Sequence, residues 1–145
     1  MLSQRDIFYQ LQRTFEEGAE CVVASQLFEF LKEFPQTSHI TLQMVRQIGV
    51  KNQSKFEDTV ILRALTFLAG DSVQVLATSF ELIEDDDTVH TLTDEELSFI
   101  LSDLINPLTG DVDLDIEEKV AMFFSLTEKA RKFFAKLNGE KGLNV

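Results

Sequence analysis

The order of elements in this chain is decided by residues 39–92, which read HITLQMVRQIGVKNQSKFEDTVILRALTFLAGDSVQVLATSFELIEDDDTVHTL. Apolar residues at helical spacing predict a short helix over residues 39–48, which Gly49 ends. A turn over residues 49–54 leads into a longer helix, predicted over residues 55–69. The rest of the stretch is rich in residues that favour strands. The predicted order is therefore helix, turn, helix, strand, turn, strand.

Two capping patterns mark where helices begin. Ser54 precedes Glu57 by three residues, and Thr93 precedes Glu96 by the same spacing. At this spacing a hydroxyl and a carboxylate satisfy two free backbone N–H groups reciprocally. The first pair is expected to cap the longer helix, and the second a helix over residues 94–104.

Turn-forming residues divide the second half of the chain. Strands are predicted over residues 72–84 and 88–92, and the three aspartates Asp85-Asp86-Asp87 form the turn between them. A second turn is predicted at Asn106-Pro107-Leu108-Thr109-Gly110.

Helices are expected on both sides of this centre. Gly18 and Pro35 are typical helix-ending residues, and apolar residues at helical spacing precede each of them. The predicted flanking segments are helices over residues 3–17, 22–34 and 116–137, and a flexible tail over residues 139–145.

The order of elements over about residues 22–92 resembles that of the winged helix-turn-helix family, in which a recognition helix is followed by a β-hairpin wing. The resemblance lies in the pattern of elements and not in a motif. It implies an α+β, mostly helical fold with a winged-helix-like centre and flanking N- and C-terminal helices. We expect one globular domain over residues 1–138, of which residues 93–138 are a helical extension.

The resemblance also implies a possible nucleic-acid-binding surface. Winged helices often place the recognition helix in the major groove of DNA, where basic and amide side chains contact phosphates and base edges. Residues 55–69 would be that helix here. The side chains that would contact nucleic acid are Arg46, Lys51, Asn52, Gln53, Lys55, Thr59 and Arg63.

The charge of the chain is concentrated in one block. The net charge is −12, but residues 81–118 contain fourteen acidic residues and no basic one. The predicted wing lies in this block and carries Glu81, Glu84, Asp85, Asp86 and Asp87. Because phosphate repels an acidic surface, this wing disfavours nucleic acid and favours a basic protein partner.

An EF-hand is not indicated, although Asp111, Asp113 and Asp115 alternate like its first ligands. The calcium loop needs glycine at its sixth position and glutamate at its twelfth. Ile116 and Met122 occupy those positions here. We therefore expect no metal site.

Signatures of catalysis are also missing from the sequence. Cys21 lies in an apolar run beside an acidic residue, which favours a buried, inert thiol. His39 and His90 have no cysteine or histidine neighbour at zinc-binding spacing, and all six glycines are isolated. We expect neither an enzyme nor a cofactor.

Three functional hypotheses follow. The first is a non-catalytic protein-interaction or regulatory module that binds a basic partner and forms a homodimer through its terminal helices. The alternatives are a DNA-binding transcriptional regulator that uses residues 55–69 and an acidic DNA mimic that inhibits a nucleic-acid enzyme. No apolar run approaches the about 20 residues needed to span a membrane, and no signal peptide is indicated. We expect a cytoplasmic protein that binds no membrane.

Overall fold

The computed structural model of the chain describes residues 3–16 and 18–143, without the side chains of residues 140–143. The fold is α+β and about 54% helical, with a three-stranded antiparallel sheet. The helices are α1 (Gln4–Phe15), α2 (Ala19–Glu33), α3 (Leu42–Lys51), α4 (Asp58–Leu68), α5 (Asp94–Asp103) and α6 (Glu128–Leu143). The strands are β1 (Leu76–Ile83), β2 (Val89–Thr91) and β3 (Val120–Leu126), and a 3₁₀ helix spans Ile116–Lys119.

The chain divides into two compact units. The first comprises Met1–Ala77 with Phe124–Val145, and we call it the helical unit. The second comprises Thr78–Phe123, and we call it the acidic unit.

Helix α2 is the centre of the helical unit and packs against α1, α3, α4 and α6. Its side chains Leu27, Phe28 and Leu31 are almost completely buried. The Phe28 ring makes edge contacts with Phe8 and Phe134, with ring centroids 5.1 Å and 5.2 Å apart. Edge contacts are a preferred geometry of aromatic pairs. The phenylalanine-rich composition of the chain therefore appears in its core as such contacts.

The acidic unit is built on a β-hairpin. Strands β1 and β2 pair antiparallel, with Leu82 opposite His90, and the sheet order is β2-β1-β3. The small core of the unit consists of Leu82, Leu92, Ile100 and Ile116. The predicted hairpin and its aspartate turn are confirmed.

Local capping bonds mark two helix starts. The Ser3 hydroxyl accepts a hydrogen bond from the Asp6 N–H at the start of α1. Thr93 and Glu96 form the predicted capping box of α5, with hydrogen bonds of 3.1 Å and 2.9 Å.

The predicted capping box of the fourth helix is wrong. Helix α4 begins at Asp58, and its N-cap Glu57 makes no side-chain capping bond. The Ser54 hydroxyl instead accepts a hydrogen bond of 3.0 Å from Gln26 Nε2 on α2. Ser54 thus bonds to a residue distant in sequence and does not cap the helix. Because the helix begins later than predicted, Lys55 precedes it.

Two helices end at other residues than predicted, because the glycine that was expected to end each of them has a different structural role. Helix α3 begins after its N-cap Thr41 and continues through Gly49 to Lys51. A Cβ atom on Gly49 would lie 2.8 Å from the Phe56 ring, so glycine permits close packing there. Gly18 is the N-cap of α2, and α1 ends with Glu16 in the left-handed conformation.

The predicted helix over residues 116–137 is the largest error. This segment forms the 3₁₀ helix, strand β3 and the first part of α6. The apolar run VAMFFSL fits a buried strand as well as a helix, and sheet pairing decides between them. The Thr127 hydroxyl then accepts a bond from the Ala130 N–H as α6 begins.

The predicted start of the first strand is also corrected, and the last helix ends later than predicted. Residues 71–73 form a turn and β1 begins at Leu76. Helix α6 continues through Gly139 to Leu143, and the last two residues lie outside the described part of the chain.

Candidate functional site

Charge is divided unequally between the two units. The acidic unit carries fourteen acidic residues and one basic residue, Lys119, for a net charge of −13. The rest of the chain carries eleven acidic and twelve basic residues, a net charge of +1. The candidate site is therefore the surface of the acidic unit, every residue of which the structure describes.

Lys119 is held by three carboxylates of its own unit. Its Nζ lies 2.9 Å from Asp113 Oδ2, 3.6 Å from Glu84 Oε2 and 3.9 Å from Asp85 Oδ2. The hydrogen bond to Asp113 is the main cause that raises the pKa of Lys119, and the same bond lowers the pKa of Asp113. The single cation of the unit is thus already neutralised and offers nothing to an anionic ligand.

Glu84 belongs to the framework of the unit. Its Oε1 accepts a hydrogen bond of 2.8 Å from Nδ2 of the buried Asn106. The Asn106 Oδ1 accepts a bond of 2.8 Å from the Leu108 N–H, and the Asn106 N–H donates to the Asp111 carbonyl over 2.9 Å. Glu84, one of the predicted partner-binding residues, is therefore engaged in internal bonds.

All three aspartates of the turn are exposed, and two of them also shape the turn. The Asp85 side chain is 93% exposed. Asp86 Oδ1 accepts a bond of 3.0 Å from the Thr88 N–H, and hydrogen bonds to Thr88 lower the pKa of Asp86. Asp87 has a φ of 67°, a conformation that aspartate tolerates in turns. Glu81 lies on β1 and is half-buried.

Within the acidic unit, most of the exposed acidic residues lie outside the predicted wing. The sequence prediction concentrated on the hairpin and missed them, although they belong to the same charge block. They are Asp94, Glu95, Asp103, Asp111, Asp115, Glu117 and Glu118. The acidic surface thus extends over α5 and the loop that follows it.

Exposed apolar side chains accompany these charges. Eight large apolar residues of the acidic unit are exposed and only five are buried. Among the exposed ones are Phe99 on α5 and, in the following loop, Val112 and Leu114. These two residues alternate with Asp111, Asp113 and Asp115, and from the sequence this alternation suggests only an incomplete calcium loop.

The predicted nucleic-acid-binding residues do not form a set of free cations. Arg46 Nε lies 2.9 Å from Asp58 Oδ1, and Arg63 Nη1 lies 3.5 Å from Glu20 Oε2. The Asn52 amide donates to the Ile48 carbonyl over 2.8 Å. The other predicted residues are exposed: Lys51, Gln53, Lys55 and Thr59.

The helical unit contains a groove of about 930 Å³. Phe30, Phe34 and Met44 contribute its apolar lining, while Glu29 and Lys51 contribute charges of both signs. This mixed lining selects no particular class of ligand.

The described residues contain no group of three metal-ligating side chains placed to hold an ion. Within the same residues, no helix is long and apolar enough to cross a membrane. No family model, curated protein or solved structure was found to match the chain.

Carboxylates of the acidic unit make its stability dependent on pH. Glu96 Oε1 accepts a 2.9 Å bond from the Thr93 N–H, and its Oε2 lies 2.9 Å from His90 Nε2. The bond from Thr93 is the main cause that lowers the pKa of Glu96 below its ordinary 4.5. A carboxylate with a lowered folded pKa stabilises the fold above its unfolded pKa, and this contribution is lost as pH falls through the folded value.

We therefore expect Glu96→Gln to flatten the loss of thermal stability below pH 4.5. The exposed neighbour Glu95→Gln is the matched control and should leave that slope unchanged. Protonation of other carboxylates also relieves repulsion within the unit, so the Tm difference between the two variants is measured from pH 7 to pH 3. An equal slope in both variants would show that the Glu96 bonds do not couple to folding.

Proposed function

We propose that this chain is a non-catalytic protein-interaction or regulatory module whose acidic unit binds a basic protein partner. The observation that carries the proposal is a net charge of −13 on residues 78–123, whose single lysine is already paired. Such a field attracts a cationic partner over about one Debye length and raises the rate of association.

The likeness to winged helix-turn-helix domains is part of this proposal. Helices α2, α3 and α4 pack against one another, and the chain then enters the β1–β2 hairpin. Contacts between copies through α1 and α6 would make a homodimer, which sedimentation of the purified chain tests directly. On this view the domain keeps a helix-turn-helix frame and recognises protein instead of DNA.

The ion pairs on α3 and α4 weaken the alternative of DNA recognition. Arg46 and Arg63 would have to leave Asp58 and Glu20 before they contacted phosphate. Salt-dependent binding of the chain to duplex DNA at about 50 mM salt, abolished by Lys55→Ala, would replace our proposal with that alternative. Competition with DNA for a nucleic-acid enzyme would support the DNA mimic.

Charge reversal in the acidic unit tests the proposal. Asp103 and Asp111 are exposed, and the bonds around Asn106 involve neither of their side chains. Asp103 also lies at the C-terminal end of α5, where a lysine interacts favourably with the helix dipole. The double variant Asp103→Lys/Asp111→Lys is therefore expected to fold.

We expect this variant to bind a soluble peptide of lysine and glutamine about tenfold more weakly at low salt, and the difference to shrink as salt is added. The control Glu33→Lys/Asp71→Lys changes the net charge by the same amount on the exposed surface of the helical unit. Fluorescence anisotropy of the labelled peptide measures both. Equal affinities for the two variants would refute the acidic unit as the binding surface.

A further inference from the structure

The acidic unit exposes an apolar face that its own core does not need. Val112 is 65% exposed, Leu114 is 78% exposed and Phe99 is 47% exposed. Single exposed apolar residues are common, but a contiguous group of them on a small unit marks an interaction surface.

Backbone bonds connect two of these residues, Phe99 and Val112, through Ile105, and Leu114 follows two residues after Val112. The Ile105 N–H donates to the Phe99 carbonyl over 3.5 Å, and Ile105 pairs with Val112 in an isolated antiparallel bridge. Residues directly opposite each other in such a bridge project to the same side. We call Phe99, Ile105, Val112 and Leu114 the apolar face.

The polar residue between them is turned away. Asp113 is the nearest of the carboxylates bonded to Lys119, at 2.9 Å, and its side chain is only 25% exposed. Val112 and Leu114, on either side of it, remain exposed because Asp113 takes the inward position. Asp113 is thus bonded to Lys119 while the apolar residue on each side of it stays exposed.

Charges surround the apolar face. Asp111 and Asp115 flank its loop, and Glu95 and Asp103 each lie four residues from Phe99 on α5, one turn before and one turn after it. All four carboxylates are exposed. An apolar centre with an acidic rim is complementary to a helix that has one apolar side and basic flanks.

We propose that the apolar face docks a basic amphipathic helix of the partner protein. This inference rests on the proposed function and names the partner's chemistry. The apolar side of the helix would cover Phe99, Val112 and Leu114, and its lysines and arginines would reach the acidic rim. Burial of apolar surface supplies affinity in this arrangement, while the charges supply orientation and speed of association.

A second copy of the chain is a poorer occupant. Its own basic helix is α6, but Ala130 and Phe134 of that helix are completely buried in the helical unit. Helix α6 thus presents exposed basic residues without its apolar side. A membrane is also a poorer occupant, because anionic headgroups repel a unit with a charge of −13.

The test uses two peptides of about 16 residues and identical composition, made of lysine and leucine. One places the leucines on a single helical side, and the other distributes them around the helix. We expect the patterned peptide to bind about tenfold more tightly than the distributed one. Val112→Ser/Leu114→Ser should abolish that preference, since both side chains are exposed and little core packing is lost.

The matched control is Val22→Ser/Val50→Ser, which removes two exposed apolar side chains from the helical unit and should retain the preference. Equal affinity for both peptides, with weaker binding by Asp103→Lys/Asp111→Lys, would refute the apolar face and leave the proposed function standing. Affinity unaffected by that charge reversal would refute both. A dimer of the free chain that Val112→Ser/Leu114→Ser dissociates would replace the helix with a second copy.

Discussion

Replacing Phe28 with alanine is expected to lower the free energy of unfolding by about 3–5 kcal/mol, the range for truncating a buried phenylalanine. The Phe28 side chain is fully buried on α2, and its ring contacts Phe8 and Phe134. The loss combines the removed apolar surface with the cavity left beside α1 and α6, because a close-packed interior relaxes only in part. Equilibrium unfolding in urea, followed by circular dichroism, measures it.

Phe34→Ala is the matched control, because Phe34 ends the same helix and is 49% exposed. We expect it to cost less than half as much, since much of its ring surface already contacts water. Similar losses for the two variants would contradict the central position of Phe28. A change in the slope of the urea transition would instead indicate an altered unfolded state.

Asn106→Ala is expected to destabilise the acidic unit by about 2 kcal/mol, because it leaves buried or half-buried polar groups without their partner. The Asn106 amide bonds to Glu84 and to the Leu108 N–H, each over 2.8 Å. Glu84 also lies near Lys119, so the loss extends to the only cation of the unit. Amide hydrogen exchange, read separately for residues 78–123 and for the helical unit, locates the effect.

Thr109→Ala is the control from the same turn. Its hydroxyl accepts a single exposed bond of 3.2 Å from the Asp111 N–H, so a loss of about 1 kcal/mol or less is expected. Faster exchange throughout the helical unit in Asn106→Ala would show that the network does not act locally. Unchanged exchange around Leu108 would show that Asn106 is dispensable.

If the apolar face and the acidic rim act together, the stability of this network also determines binding. Asp113 and Lys119 position Val112 and Leu114, while Asn106 holds the preceding turn. Residues 104–119 therefore contribute both to the polar framework, together with Glu84, and to the proposed binding surface, together with residues of α5.

The sequence by itself determined the features whose causes lie within a few residues. Ser3 caps α1, Thr93 and Glu96 cap α5, and the aspartates after β1 form the hairpin turn. In each case the donor and the acceptor are two or three residues apart, so the bond is visible in the sequence. The charge block is also a property of the sequence alone.

Only the tertiary structure decided the elements whose partners are distant in the chain. Ser54 is bonded by Gln26, and Gly49 continues a helix because it lies against the Phe56 ring. The run VAMFFSL forms β3 because its neighbour in the sheet is a strand more than 35 residues earlier in the sequence. Apolar side chains at these positions fit a helix or a strand equally well, and the available partner selects one.

The same division applies to the candidate site. Sequence reasoning found the acidic residues, because charge needs no partner to be recognised, but it placed the site on the hairpin. Some of these charged side chains are bonded to partners distant in the sequence and are not free. Arg63 bonds to Glu20, 43 residues away, and Asn106 bonds to Glu84, 22 residues away. The exposure of Val112 and Leu114, and the bond of Asp113 between them to Lys119, are likewise visible only in the folded chain.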